Sequence, residues 1–218
     1  ELLKMPDLPE ADRTRFASII HDEAGRLTRL LNDLLDLSVL DSGQVRLSIS
    51  VANLHDLIDR ALDAASASGA GRDFTIDRDL PAEHLSIMTD TDRLLQVLIN
   101  IISNARKYCD APRPALRIRA RRRPDRTTEI DIIDNGSGID LDRQALIFEK
   151  FARLNDPMRA GGAGLGLAIC REIMTVLGGS IAYLPGQGGA AFRVTLPRRP
   201  PTLSREHADA PEDGEAGR

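Results

Sequence analysis

Tryptophan is absent from this chain of 218 residues, and all aromatics together make up only 3%. A single-stranded nucleic-acid reader stacks bases on aromatic platforms, so that class is excluded. Neither sign of charge dominates: 29 basic against 33 acidic residues leave a formal charge of −4, which gives no footprint for duplex nucleic acid. Only two cysteines occur, Cys109 and Cys170, far apart and with no CxxC or Cys/His cluster. A disulfide framework and a structural zinc site are therefore not indicated, and reduced, cytoplasmic conditions fit. Long apolar runs are also missing. The longest, Leu94 to Ala105, is broken by Gln96, Asn100, Ser103 and Asn104, and stays well below the ~20 residues of a membrane-spanning helix.

What remains is 42% hydrophobic and 28% charged, the balance of a globular protein with a real core. From Asp12 to Asp41, Phe16, Ile19, Ile20, Leu27, Leu30, Leu31, Leu34, Leu37 and Leu40 recur mostly every three or four residues, which predicts one long amphipathic helix ended by Ser42-Gly43. Such a stripe calls for a helical hairpin or a second subunit. Val45, Leu47 and Ile49 then alternate with polar residues, as in a half-exposed strand. A helix over Leu54 to Ala67 follows, then strands near Phe74 to Ile76 and Leu85 to Met88, and a helix from Thr91 to Tyr108 capped by Asp90. Strands over Ala115 to Ala120 and Thr127 to Ile133, a short helix near Leu141, a helix from Leu165 to Leu177, and strands over Ser180 to Leu184 and Ala191 to Leu196 complete an α+β pattern with a largely antiparallel sheet. Beyond Pro197 the composition turns acidic and apolar-poor, which reads as a disordered tail.

Four short elements carry chemistry. Asn100 and Asn104 share one helix face with Lys107 and Tyr108 one turn later. Their carboxamides suit a Mg²⁺ already held by phosphates, and Lys107 supplies a point charge; the alternative is a plain solvated face. Asp134-Asn135-Gly136-Ser137-Gly138-Ile139 ends an apolar strand. An acid there can accept from an exocyclic amine, with Gly136 and Gly138 admitting a ring; taken by itself the segment reads first as an ordinary Asn-Gly or Ser-Gly turn. Gly161-Gly162-Ala163-Gly164-Leu165-Gly166-Leu167 opens a helix, a phosphate cradle in type, though neither a Walker motif nor a dinucleotide fingerprint. Phe148 and Phe151 precede it in Ile147-Phe148-Glu149-Lys150-Phe151.

In order, these elements and a final Gly-Gly resemble the N, G1, F, G2 and G3 boxes of sensor histidine kinases within the GHKL ATP-binding superfamily, over about Ser48 to Leu196. The resemblance implies a GHKL-type α/β sandwich binding ATP and Mg²⁺ beneath a mobile lid. It implies Asn104 as Mg²⁺ ligand, Asn100 and Lys107 on the phosphates, Tyr108 near the base and Asp134 on the adenine amino group. Gly136, Gly138 and Ile139 belong to the base-binding loop, and Gly162, Gly164, Leu165, Gly166 and Leu167 line the lid hinge and triphosphate. The first helix is similar to the second arm of the family's dimerisation hairpin, through Ile20, Glu23, Arg26 and Leu27. The division implied is residues 1–43 for that arm, 44–197 for the catalytic domain and 198–218 for the tail. A response-regulator receiver domain is the implied partner, with homodimerisation once the hairpin is whole, in the cytoplasm or on the cytosolic side of a membrane-anchored sensor.

Two departures stand out. The family's acceptor box, His, acid and a Pro four residues on, belongs to a preceding helix; His21-Asp22 lacks that Pro and is not the acceptor. Ala163 replaces a customary hydroxyl residue. ATPases of the superfamily carry a Glu general base where Asn100 stands, and an amide cannot abstract a proton. The run Arg117, Arg119, Arg121, Arg122, Arg123 reads as the wet face of an outer strand, not a nucleic-acid site. His55, His84 and His207 read as surface residues and Cys170 as core.

Overall fold

Alternating and three-to-four spacings sort this chain into helices on one side and a sheet on the other. In the computed structural model, residues 9–41, 45–67, 74–152 and 164–201 are described. The helices are α1 (Glu10–Asp41), α2 (Leu54–Ala67), α3 (Thr91–Tyr108), α4 (Leu141–Gln144) and α5 (Gly166–Val176). The strands are β1 (Ile49–Asn53), β2 (Thr75–Asp79), β3 (Ser86–Asp90), β4 (Ala115–Arg122), β5 (Thr128–Asp134), β6 (Ser180–Tyr183) and β7 (Ala191–Leu196). Five strands form one sheet in the order β2-β4-β5-β7-β6, parallel only between β2 and β4, and β1 pairs antiparallel with β3 in a second, two-stranded sheet.

α3 is the spine. Leu94, Val97, Leu98, Ile101, Ile102 and Ala105 fall three or four apart and are all buried. They meet Leu57, Ile58 and Ala61 of α2, Ile169 and Ile173 of α5, and the inward residues Ile118, Ile130, Ile132 and Val194 of the sheet in one core. Asp90 caps α3 as expected, accepting from the Arg93 N–H at 3.2 Å. Its other oxygen takes the Ser48 N–H at 2.9 Å. That second bond explains why β1 begins at Ile49 and not at Val45. Ile49 is opposite Asp90, the last residue of β3. Beyond it the partner backbone has turned into helix, so residues 45–48 have no ladder to join.

β2 also lies later than expected, shifted toward Asp79 along β4, where Asp77 opposite Arg117 makes an ion pair at 2.6 Å. β4 is not an outer strand, since it runs between β2 and β5. Arg119 and Arg121 of β4, with Arg123 just past its end, are partners of carboxylates on β5, while Arg117 pairs with Asp77 of β2 and Arg122 donates to the Ser86 carbonyl. Arg121 and Arg123 reach Glu129 at 3.0 and 3.2 Å, and Arg119 reaches Asp131 at 3.4 Å. Arg193 of β7 adds a bidentate pair to Asp131 at 2.6 and 2.9 Å. Alternation in the sequence identifies the polar face of a strand but not what stands beside it.

α5 closes as a Schellman motif, the Gly178 N–H bonding the Thr175 carbonyl at 3.0 Å and the Gly179 N–H the Met174 carbonyl at 2.8 Å. α1 docks only by its C-terminal end, where Leu37 and Leu40 are buried and Gln96 donates to Asp36 at 2.8 Å. Ile19, Ile20, Leu27, Leu31, Leu34 and Leu35 stay exposed. Among the described residues, no helix is long and apolar enough to cross a membrane. The Ser42-Gly43 stop signal and the acidic tail past Pro201 lie outside the described residues.

Replacing Asp90 removes both the α3 cap and the anchor of Ser48. Asp90→Ala is expected to lower the stability by about 1–2 kcal/mol, read as a lower urea midpoint with an unchanged m-value.

Candidate functional site

All seven residues of β5 are buried, and the strand ends in a carboxylate. Asp134 is 7% exposed. Its Oδ1 accepts the Gly136 N–H at 2.9 Å and the Ala190 N–H at 2.9 Å, while its main-chain N–H donates to the Ala190 carbonyl at 2.9 Å. Among the described residues, nothing hydrogen-bonds Oδ2. Burial holds its pKa above the ordinary aspartate value; the Gly136 and Ala190 N–H groups pull the other way, and the Asp110 charge adds to the rise. Glu129 and Asp131 on the same strand are buried too, but guanidinium groups face them. Asp134 is the one buried β5 carboxylate held by neutral donors, the marker of a group kept for a ligand.

The loop after β5 folds against the end of α3. The Ser137 N–H donates to Asp110 Oδ1 at 2.7 Å, which holds the Asp110 carboxyl below its usual range. Asn135 accepts from the Ala115 N–H at 2.8 Å and donates to the Arg113 carbonyl at 2.9 Å. A Cβ on Gly136 would stand 3.0 Å from Asp110 Oδ1 and 3.3 Å from Asp134 Oδ1, so the backbone there is packed with no room for a side chain. Gly138 has φ +79°. The Ile139 N–H donates to the Tyr183 hydroxyl at 3.1 Å, and Gln144 Nε2 donates to the Ile139 carbonyl at 2.8 Å.

The other wall is the start of α5. Its N-cap residue, Leu165, makes no side-chain cap bond, so among the described residues no side chain occupies the first N–H groups of the helix, the kind of terminus that suits an anion. A Cβ on Gly166 would be 3.7 Å from the Asn100 carboxamide, which places α5 against the α3 face expected to meet phosphates. On the same helix pair the Cys170 thiol donates to the Val97 carbonyl at 3.9 Å, and burial pushes its pKa up to about 12. Cys170 is thus a core thiol, as expected. Before α5, the Phe151 N–H donates to the Gly164 carbonyl at 3.0 Å, with Phe151 at φ +65° and Gly164 at φ +72°. A Cβ on Gly164 would come within 2.7 Å of the Ala152 carbonyl oxygen, so that position requires glycine.

The structure therefore brings Asn100 to Gly166 and Gly136 to Asp134, with Gly138 beside Gly189 and Tyr183, and Ile139 on the Tyr183 hydroxyl. Asn104 is half-buried on the same helix. Lys107 leans over the half-exposed Tyr108 ring at 5.0 Å to the centroid. The Leu165 side chain is fully buried and Leu167 packs partly on the core, so both side chains are committed to packing. Gly162, with residues 153–163, lies outside the described residues. Sequence reasoning missed Asp110, Asn135, Gln144, Tyr183 and Ala190, which hold the Asp134 loop. Only the β6–β7 turn composition, Gly186, Gly188 and Gly189, hinted at a close approach there.

Residues 89–200 match the family model described as histidine kinase-, DNA gyrase B-, and HSP90-like ATPase. The chain is 38% identical over 197 residues to sensor protein KdpD of Escherichia coli (strain K12), covering 89% of this chain and 22% of that protein. It is 34% identical over 194 residues to alginate biosynthesis sensor protein KinB of Pseudomonas aeruginosa, covering 88% and 32%. The chain thus spans less than a third of either relative. The solved structure of Acinetobacter baumannii histidine kinase AdeS superposes with a TM-score of 0.69 at 25% identity, over 88% of this chain and 86% of that one.

A Cβ on Gly189 would overlap the Asp134 carbonyl and approach its carboxylate at 2.8 Å. Gly189→Ala is expected to cost about 1–3 kcal/mol, because backbone cannot yield as a side chain can; urea unfolding checks it.

Proposed function

The chain belongs to the histidine kinase-, DNA gyrase B-, and HSP90-like ATPase family, as an ATP-binding catalytic domain of the sensor histidine kinase kind, and from that premise we propose that it binds ATP with Mg²⁺ and delivers the γ-phosphate to a histidine on a helix preceding α1. A response-regulator aspartate then receives the group. The observation that carries this reading is the buried Asp134 carboxylate, fixed through Oδ1 by the Gly136 and Ala190 N–H groups, with Oδ2 left to accept.

In this reading Asp134 Oδ2 accepts from the adenine amino group, Gly136 and Gly138 let the ring approach, and Tyr108 lies beside the base. The free N–H groups at the start of α5, with Gly162 and Gly164 before them, cradle the phosphates. Asn100 and Lys107 contact phosphate oxygens, and Asn104 offers a carboxamide oxygen to Mg²⁺. Among the described residues, no group of three or more His, Cys, Asp or Glu could hold a metal ion. That donor set fits a Mg²⁺ held mainly by phosphates and completed by one amide, since Mg²⁺ uses few protein ligands there. When bound, the ion neutralises charge on the transferring phosphoryl group. The chain's own residues orient that group and exclude water, and Asn100, an amide, activates no water for hydrolysis.

α1 supplies the second arm of a dimerising hairpin, with residues 44–197 as the catalytic unit and the exposed Leu27, Leu31 and Leu34 stripe awaiting its partner arm. His21 is exposed on α1, in the pattern of that second arm.

Titration calorimetry tests the reading. ATP is expected to bind in a Mg²⁺-dependent way and more tightly than GTP, and Asn104→Ala to lose most of the Mg²⁺ dependence while keeping the fold. Equal binding of ATP and GTP, or none, sinks it. The pH dependence has a definite sign. The amino group needs an ionised acceptor, and the Asp134 pKa is raised. Affinity relative to Asp134→Asn is therefore level at neutral pH, and falls as pH drops through a value above the ~3.9 of an ordinary aspartate. In the variant that fall disappears.

A further inference from the structure

The loop Asn135–Ile139 contains two glycines, and glycine loses more conformational freedom on ordering than any other residue. Its first half is tied to the end of α3 and the start of β4 through Asp110 and Asn135. Its second half has different anchors. Past Gly138, at φ +79°, the Ile139 N–H is held by the Tyr183 hydroxyl at 3.1 Å and the Ile139 carbonyl by Gln144 at 2.8 Å. Both partners are side chains from outside the loop, and Tyr183 is the one rooted in the sheet.

The phenol is itself fixed. Its ring meets Phe192 edge-on at 5.7 Å between centroids and 69°, and Phe192 meets Phe148 at 6.3 Å and 90°. A Cβ on Gly138 would also touch the Tyr183 oxygen at 3.4 Å. One short row of rings therefore runs from the Phe148 segment, under β7, to the loop that faces Asp134. We propose that Tyr183 is a positioning residue for nucleotide binding: its hydroxyl orders Gly138 and Ile139 in advance of the ligand, so that the base meets a preformed edge beside Asp134. The proposal rests on the adenine reading of Asp134 given above. A loop ordered before binding saves the entropy that a slack loop loses on closing around its ligand. The residue acts on the base end of the site alone, because among the described residues the phenol makes no hydrogen bond to the α5 terminus or to α3.

Tyr183→Phe deletes the hydroxyl and keeps both ring contacts, so the fold is retained. In the nucleotide-free protein, amide exchange at Ile139 is expected to accelerate severalfold while exchange in the middle of β5 is unchanged. ATP affinity is expected to fall about fivefold, the scale of one lost hydrogen bond, whereas affinity for inorganic tripolyphosphate stays the same. Unaltered exchange at Ile139 overturns the positioning role, whatever nucleotide does. Equal losses for ATP and tripolyphosphate overturn its restriction to the base. A wild-type chain that ignores ATP overturns the adenine reading instead, and the Ile139 exchange then decides the loop-ordering claim alone.

Discussion

Keeping a carboxylate out of water is the constraint around which this molecule is arranged. β5 is the buried middle strand, and it carries three carboxylates. Burying such a group is costly unless opposite charge or hydrogen-bond donors replace its hydration. For Glu129 and Asp131 the replacement is guanidinium, from Arg119, Arg121, Arg123 and Arg193. This is why the outer face of the sheet is a layer of alternating charge. For Asp134 the replacement is two backbone N–H groups, weaker partners that leave its pKa raised. The β6–β7 turn must press against β5 to deliver the Ala190 N–H, and Gly189 is the residue small enough to allow it. A site for a neutral donor such as an exocyclic amine is the chemical complement of that arrangement.

α3 joins this end of the site to the other. Its C-terminal end receives the Asp134 loop through Cys109 and Asp110, and about two and a half turns earlier Asn100 meets Gly166. Cys170 of α5 donates its thiol to the Val97 carbonyl of α3, and its elevated pKa keeps it a thiol under any physiological condition. A fully buried thiol of this kind is packing with a hydrogen-bonding edge, not a nucleophile. The spacing of apolar residues that makes α3 a core helix is thus also what aims its polar face at the two loops.

Much of this was legible in the sequence. The bounds of α2 and α3 follow from apolar spacing, and the Asp90 cap was legible because an acid before such a run has one obvious use. Asp134 was legible because glycines flank an acid at a strand end. Contacts between residues distant in sequence were not. Tyr183 meets Ile139 across 44 positions, and no local pattern marks a tyrosine on an edge strand as the acceptor for a loop amide. The arginines of β4 were assigned to the right face and the wrong neighbourhood, since alternation reveals a face but strand order is set by pairing. β1 was placed too early for the same reason: its residues favour extension from Val45, and the partner backbone begins to match only at Ile49.

α1 belongs to both halves of the molecule's chemistry. Leu37 and Leu40 lie in the same core as α3 and α5, while Ile19, Ile20, Leu27 and Leu31 remain exposed. A continuous helix is stiff along its axis, so the exposed part cannot be repacked against a partner without a force appearing at the buried end. That end bears on α5 and, through Asp36, on Gln96 of α3. α5 has only 11 residues, about 16 Å at 1.5 Å per residue. The face touched by α1 and the helix start that offers free N–H groups therefore lie within one short rigid body. Displacement at the α1 contact is therefore passed on within that body, because interiors packed at crystal-like density transmit strain.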